Sequence, residues 1–71
     1  MNDKELRMII FPPDTLNIGA PSELKPDTGQ VLMQEEQNLG DYSIVWAVLY
    51  GVDGREISRW NAKYLEGIIY R

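Results

Sequence analysis

The sequence predicts a mainly β domain: a small five-stranded barrel or a strongly bent antiparallel sheet, with one short 3₁₀ or helical turn before the last strand. Three observations predict this fold class. Residues 42–50 are rich in β-branched and aromatic side chains, which suit a buried strand. Asp53-Gly54 follows, and such a pair between apolar runs favours a tight turn in which both central residues have positive φ. A polar turn then leads into a short apolar run at the end of the chain.

The first strand is predicted over Leu6 to Phe11. This apolar run, LRMIIF, stops at Pro12-Pro13. Proline has no backbone N–H to donate to a neighbouring strand, so the strand should end near Phe11. The preceding residues 1–5 are polar and are expected to be frayed.

Residues 14–29 are predicted to form a long packed loop. Two prolines and two glycines interrupt this segment. Residues 21–24 could start one helical turn, but no periodic apolar run follows to continue a helix. Leu16, Ile18 and Leu24 can anchor the loop on the core, since unstructured loops of this length are uncommon in compact domains.

The second strand is predicted over residues 30–34 (QVLMQ), and it can extend to Gln37. A helix over residues 31–39 is the alternative, because VLMQEEQNL contains good helix formers and ends just before Gly40. We favour the strand, followed by a polar connection.

The register of the central hairpin has two solutions. A two-residue loop pairs Tyr50 with Ile57 and Ala47 with Trp60, whereas a three-residue loop puts Trp46 opposite Trp60. A slip of one residue exchanges the two faces of a strand, so the register decides which tryptophan is exposed. We favour the two-residue loop.

Residues 56–60 are the return strand of this hairpin, residues 61–66 the helical or 3₁₀ turn, and residues 67–70 the last strand. Asn61 is placed to cap the turn. This order of elements resembles an SH3-like small barrel, with the local likeness in residues 57–69, ISRWNAKYLEGII. The acidic-aromatic motif of the peptide-binding members does not follow the first strand, and Asn61-Ala62 replaces their proline in the 3₁₀ turn. The resemblance therefore implies an architecture and no binding residues. An OB-like five-stranded barrel fits the same strand count.

Composition excludes much chemistry. A chain of 71 residues forms one domain, residues 1–71. It contains no cysteine and no histidine, so disulfides, thiolate zinc sites and the commonest general base are all excluded. Glu35-Glu36 with Asp41 lacks the regular spacing of a calcium loop, and the serines have no histidine to act as a base. We predict no catalytic, cofactor-binding or metal-binding residues and no enzymatic activity.

Charge and hydropathy limit the partners. The chain has eleven acidic and seven basic residues, and an acidic total disfavours binding to nucleic acid or to anionic membranes. The start of the chain carries no secretion signal, and no stretch reaches the roughly 20 apolar residues of a membrane span. The expected location is cytoplasmic.

Both faces of residues 42–50 carry apolar groups, and a small sheet covers only one face by itself. The sequence therefore predicts a small acidic, non-enzymatic protein–protein interaction module that binds another protein or a second copy of itself. The candidate partner-binding residues combine aromatic and cationic side chains: Trp46, Tyr50, Arg55, Arg59, Trp60 and Tyr64.

Two alternatives follow from the charge pattern. An acidic inhibitor could imitate nucleic acid and occupy a basic cleft on a partner protein, with its charge supplied by Asp14, Glu23, Asp27, Glu35, Glu36, Asp41 and Asp53. A single-stranded nucleic-acid binder could instead use the basic aromatic C-terminal segment, because bases stack on aromatic side chains beside a cationic track. That segment contains Arg55, Arg59, Lys63 and Arg71 interleaved with Trp60, Tyr64 and Tyr70.

Overall fold

In the computed structural model, which describes residues 3–13 and 22–71, the chain forms a curled antiparallel sheet with the shape of a half-barrel. The elements are β1 (Lys4–Ile10), β2 (Glu23–Leu24), β3 (Val31–Asn38), β4 (Ser43–Tyr50), β5 (Glu56–Asn61), a 3₁₀ turn (Ala62–Tyr64) and β6 (Gly67–Tyr70). The mainly β prediction is confirmed, as are the five predicted strands and the 3₁₀ turn before the last strand. The two-residue strand β2 is additional.

β1 is the strand on which the sheet is organised. On one side it pairs with β3 through its first half and with β2 through its second half, and on the other side it pairs with β6. β3 continues to β4, and β4 to β5. Within the described residues, β5 and β6 are therefore the two ends of the strand order, and the 3₁₀ turn joins them.

β1 starts earlier than the sequence predicts. Lys4 and Glu5 belong to the strand, where they pair with Gln34 and Met33, so the expectation of fraying is wrong at these two positions. Backbone pairing with β3 places these two residues in the strand, although their polar side chains do not predict one. The strand ends at Ile10, one residue before Phe11 and two before Pro12, which has no N–H to donate to a neighbouring strand. Residues 1–2 lie outside the described residues.

A bulge in β1 directs two residues three positions apart to the same side. Leu6 and Ile9 are both fully buried, although residues i and i+3 of a regular strand point to opposite faces. The register with β6 shifts between Leu6 and Met8, which inserts the extra residue that brings both side chains into the core.

The segment predicted as a long packed loop is described only in part. Residues 14–21, with Leu16 and Ile18, lie outside the described residues, so the loop stays a prediction there. Glu23–Leu24 is a strand paired with Ile9 and Ile10, and not the start of a helical turn or an irregular segment. Leu24 packs against the core as expected.

The alternative between strand and helix at residues 31–39 is decided in favour of the strand. All eight residues of β3 pair with β4, from Val31 opposite Tyr50 to Asn38 opposite Ser43. The strand takes the longer of its predicted extents, to Gln37, and continues one residue further to Asn38, because β4 supplies a backbone partner for each of the polar residues 35–38. The connection to β4 is confined to residues 39–42, where the Leu39 N–H donates to the Tyr42 carbonyl at 2.8 Å.

The hairpin between β4 and β5 begins with a three-residue loop. The Gly51 N–H donates to the Arg55 carbonyl and the Gly54 N–H to the Gly51 carbonyl, at 2.8 and 2.9 Å. Gly54 has φ of +82°, and no described residue other than glycine has positive φ. The expected two-residue turn with positive φ at both Asp53 and Gly54 is thus wrong. The observed geometry is a turn closed by a left-handed glycine.

A bulge then restores the register that the two-residue loop predicts. Tyr50 pairs with Glu56 and not with Ile57, but the register shifts after this pair, and Ala47 lies opposite Trp60 as expected. Ile57 is the extra residue of β5. Trp60 consequently shares the core-facing side of the sheet with Ala47, while Trp46 points to the opposite side.

The core lies on the concave side of the sheet. Its buried members come from three strands: Leu6, Ile9, Leu32, Ala47 and Leu49. Phe11, Leu24, Trp60, Leu65 and Ile68 pack around them, and the Phe11 and Trp60 rings meet edge to face with centroids 5.5 Å apart. No helix among the described residues is long and apolar enough to cross a membrane.

The core is thin enough for one truncation to threaten the fold. Leu32 is fully buried at its centre. Leu32→Ala should lower the free energy of unfolding by about 2–5 kcal/mol, against a total of about 4–11 kcal/mol for a chain of this size. Urea denaturation followed by far-UV circular dichroism measures the loss.

Val31→Ala is the matched control, because Val31 is the preceding residue of β3 and its side chain is 37% exposed. It should cost less than about 1 kcal/mol, since little apolar surface leaves the interior. Equal losses for the two variants would contradict the placement of the core on the Leu32 side of β3.

Candidate interaction surface

The face of the sheet opposite the core, here called the outer face, is built by alternate residues of β3, β4 and β5. Val48 of β4 lies between Met33 of β3 on one side and Arg59 of β5 on the other. Val48 is fully buried although it does not belong to the core cluster. Its neighbours on the outer face must therefore cover it.

Trp46 supplies part of that cover and is held by two contacts. Its indole N–H donates to Gln37 Oε1 at 3.0 Å, and the Arg59 guanidinium lies 5.2 Å from the centroid of its ring. A guanidinium over an indole face is attracted by the electron density of the ring. The ring is therefore fixed in position while it stays partly accessible.

Arg59 is oriented by a fork of two hydrogen bonds to Glu56. The distances are 2.9 Å from Nε and 2.6 Å from Nη2. This contact lowers the pKa of Glu56 and raises that of Arg59. The two residues are three apart, and only the extra residue Ile57 brings them to the same face of β5.

Tyr50 reaches along the outer face to Glu35. Its hydroxyl donates to Glu35 Oε2, and this hydrogen bond, together with burial and the negative charges of Glu35 and Glu56, raises the pKa of Tyr50 to about 12. Tyr50 and Glu35 lie on either side of the Met33–Val48 pair in the register. Their contact therefore crosses over Val48 and completes its cover.

We call this set the outer-face cluster: Glu35, Gln37, Trp46, Tyr50, Glu56 and Arg59. It contains three of the residues that the sequence predicts for partner binding, Trp46, Tyr50 and Arg59. The other three members escape sequence reasoning. Glu35 and Gln37 are assigned to this face only once the strand is known to include them and its register with β4 is known. Glu56 is assigned to it only through the bulge at Ile57.

The remaining predicted residues lie elsewhere. Arg55 is at the hairpin tip, where its side chain is 88% exposed and 3.7 Å from Asp53. Trp60 packs in the core against Phe11. Tyr64 is 67% exposed in the 3₁₀ turn with the Lys63 amine 5.2 Å from its ring centroid.

The fold also separates the charged residues that the sequence suggests for the two alternative functions, the acidic inhibitor and the nucleic-acid binder. Glu35 points to the outer face and Glu36 to the opposite one, because successive residues of a strand alternate. Asp14 lies outside the described residues. Three of the four C-terminal cations have acidic partners: Arg55 with Asp53, Arg59 with Glu56, and Arg71 with Glu5 at 3.5 Å.

In residues 3–13 and 22–71, no group of three or more acidic side chains is placed to hold a metal ion. Comparison of the chain with protein-family models, with curated proteins and with solved structures finds no match. The interpretation of the surface therefore depends on its geometry.

The Tyr50–Glu35 contact predicts a late tyrosine titration. The difference between the ultraviolet titration curves of the wild type and Tyr50→Phe isolates this phenol, and its midpoint should lie near 12. The folded pKa of Tyr50 is above the ordinary tyrosine value of 10.0, so the contact stabilises the folded state fully below pH 10, and this contribution is lost between pH 10 and about 12.

Glu35→Gln should shift this midpoint down, because it removes the charged acceptor. Glu36→Gln removes the same charge from the next residue of β3, on the other face, and should leave the midpoint within a few tenths of a unit of wild type. If Glu35→Gln left the titration midpoint of Tyr50 unchanged, that result would contradict the hydrogen bond.

Proposed function

We propose that the chain is a small acidic, non-enzymatic protein-interaction module and that the outer-face cluster is its partner-binding surface. The observation that supports this most is the convergence of Trp46 and Tyr50 of β4 with Arg59 of the adjacent strand β5. Tryptophan, tyrosine and arginine are the residues most enriched among those that dominate binding energy at protein interfaces.

The cluster is also arranged in advance of binding. Each of its aromatic and cationic side chains already has a contact within the chain: Trp46 with Gln37, Tyr50 with Glu35, and Arg59 with Glu56. Ordering a long side chain at an interface costs about 0.5–1.5 kcal/mol, and this cost is largely met during folding. The paired charges let the aromatic rings meet a partner without exposing an isolated ion to desolvation.

The finer architecture that supports this role is an SH3-like barrel. The strand order, the long connection between β1 and β3, and the 3₁₀ turn before β6 are all compatible with it. SH3-like barrels are small scaffolds that present partner-binding surfaces on short strands and loops.

A protein partner is supported over a nucleic acid by the pairing of the cations. Arg55, Arg59 and Arg71 face acidic side chains and form no continuous track. Neutralising a phosphate backbone requires cations that are free to contact it, and the surrounding chain is acidic.

Quantitative affinity capture from the native cell tests the proposal. The wild type should retain a defined protein that Trp46→Ala loses by tenfold or more, as expected for a residue at the centre of an interface. Tyr64→Ala is the matched control, since it removes an exposed aromatic ring outside the cluster, and it should retain the same protein as the wild type. Tryptophan fluorescence from Trp60 verifies that Trp46→Ala is folded.

The outcome that contradicts the proposal is retention that Trp46→Ala and Tyr64→Ala change equally, or no retained protein at all. Sedimentation of the purified chain tests whether the partner is a second copy of the same chain. Association at tens of micromolar, the range of weak dimers, should then be abolished by Trp46→Ala. A wild-type monomer at that concentration assigns the surface to a different protein.

A further inference from the structure

A second surface lies at the end of the half-barrel where β4 begins. An open cleft of about 650 Å³ is formed there by β3, the start of β4, the 3₁₀ turn and β6. Its volume falls in the range of ligand-binding pockets. None of the predicted partner-binding residues and no member of the outer-face cluster lines it.

One wall of the cleft is an unpaired strand edge. Ser43–Val45 pair with residues 36–38 of β3 on one side. On the other side β5 ends at Asn61, opposite Trp46, and the 3₁₀ turn that follows lies against β4. No described strand pairs with Ser43–Val45 on that side, so the edge is bordered by the turn and not by a strand. An edge of this kind offers backbone N–H and C=O groups to an incoming extended segment.

The charge of the cleft differs from that of the chain. Eleven residues of the chain are acidic, but none of them lines the cleft, whereas Lys63 does. Lys4 lies at the rim, with its amine 5.4 Å from the ring centroid of Tyr70, which is a lining residue. Glu36 is the nearest acid in the register, opposite Val45 on the same face.

Two amide side chains of the cleft are held in position by contacts within the chain. The Tyr70 hydroxyl donates to Gln34 Oε1 at 2.7 Å. Asn61 Oδ1 accepts from the Lys63 N–H at 3.1 Å. In both cases the oxygen is occupied, which leaves the amide –NH₂ group as the donor to a bound acceptor. The cleft therefore presents two amide donors and an apolar wall that includes Val45. The Lys4 amine lies at its rim over Tyr70, and the Lys63 amine lies beside it over Tyr64.

We propose that this cleft binds an extended acidic peptide segment of another protein, which adds as a strand along Ser43–Val45 and directs its carboxylates to Lys63 and Lys4. Alternate side chains of the segment meet the apolar wall, and its carbonyl groups meet the amides of Gln34 and Asn61. A peptide fits better than a nucleic acid, because two lysines neutralise few phosphates and the rest of the chain repels a polyanion.

Nuclear magnetic resonance of the ¹⁵N-labelled chain tests the proposal directly. The probe is a blocked seven-residue peptide of alternating glutamate and valine, EVEVEVE. Amide shifts should change at Gln34, at residues 43–45, at residues 61–63 and at Tyr70. The peptide KVKVKVK and a seven-nucleotide oligothymidine should leave these signals unchanged at the same concentration.

Charge variants separate the cleft from general electrostatics. Lys63→Glu should weaken binding of EVEVEVE about three- to tenfold, and Glu36→Gln should strengthen it up to about threefold, as expected for exposed charge pairs. Arg55→Glu makes the same charge change at the exposed hairpin tip and should alter the affinity by less than twofold. These three side chains are exposed, so the fold is retained.

Four results would overturn the proposal: no shifts at about 5 mM peptide, shifts centred on Trp46, an Arg55→Glu effect as large as that of Lys63→Glu, or tighter binding of oligothymidine. None of these results measures whether a protein partner is retained through Trp46. The proposal for the cleft and the proposal for the outer-face cluster can therefore be refuted independently.

Discussion

The burial of β4 on both faces is the constraint on which the rest of the structure depends. Ala47 and Leu49 point into the core, and Val48 between them is equally buried on the other side. A chain of 71 residues can build one core, so a second buried position needs cover of another kind. Here the cover consists of long side chains joined by hydrogen bonds and by the contact of Arg59 with Trp46. The feature that completes the packing of β4 is also the surface that we propose for partner binding.

Two bulges connect the fold to this surface. The bulge in β1 turns Leu6 and Ile9 to the same side, so this strand supplies two of the buried core residues. The bulge at Ile57 brings Glu56 beside Arg59, and the resulting fork holds the guanidinium over Trp46. A regular β5 would direct Glu56 to the core side and leave the guanidinium without its acidic partner.

The features of the fold that can be predicted are those that depend on a short stretch of sequence. The apolar run of β4 and the proline stop after β1 give the strands. The pairing of Ala47 with Trp60 is predicted from a two-residue loop that does not form, and it holds because the bulge at Ile57 compensates for the three-residue loop. The bulges do not follow, because each depends on how two strands fit together and leaves no local signal. The same holds for β2, which exists only because β1 offers an edge to Glu23–Leu24. Of the outer-face cluster, the aromatic and cationic members can be chosen by residue type, whereas their acidic and amide partners require the observed register.

The two surfaces of β4 differ in how charge acts on them. In the outer-face cluster the guanidinium and its carboxylate are already joined. The proposed partner would therefore gain mainly from contact with the rings, and salt should have little influence on its binding. In the cleft the lysines have no acidic partner among the described residues, and opposite charge on a ligand is attracted over about a Debye length, roughly 8–10 Å at moderate salt. Attraction of that kind raises association rates and favours one sign of ligand more than it adds affinity. One short strand thus supports a surface suited to tight packing in its middle and one suited to charge selection at its beginning.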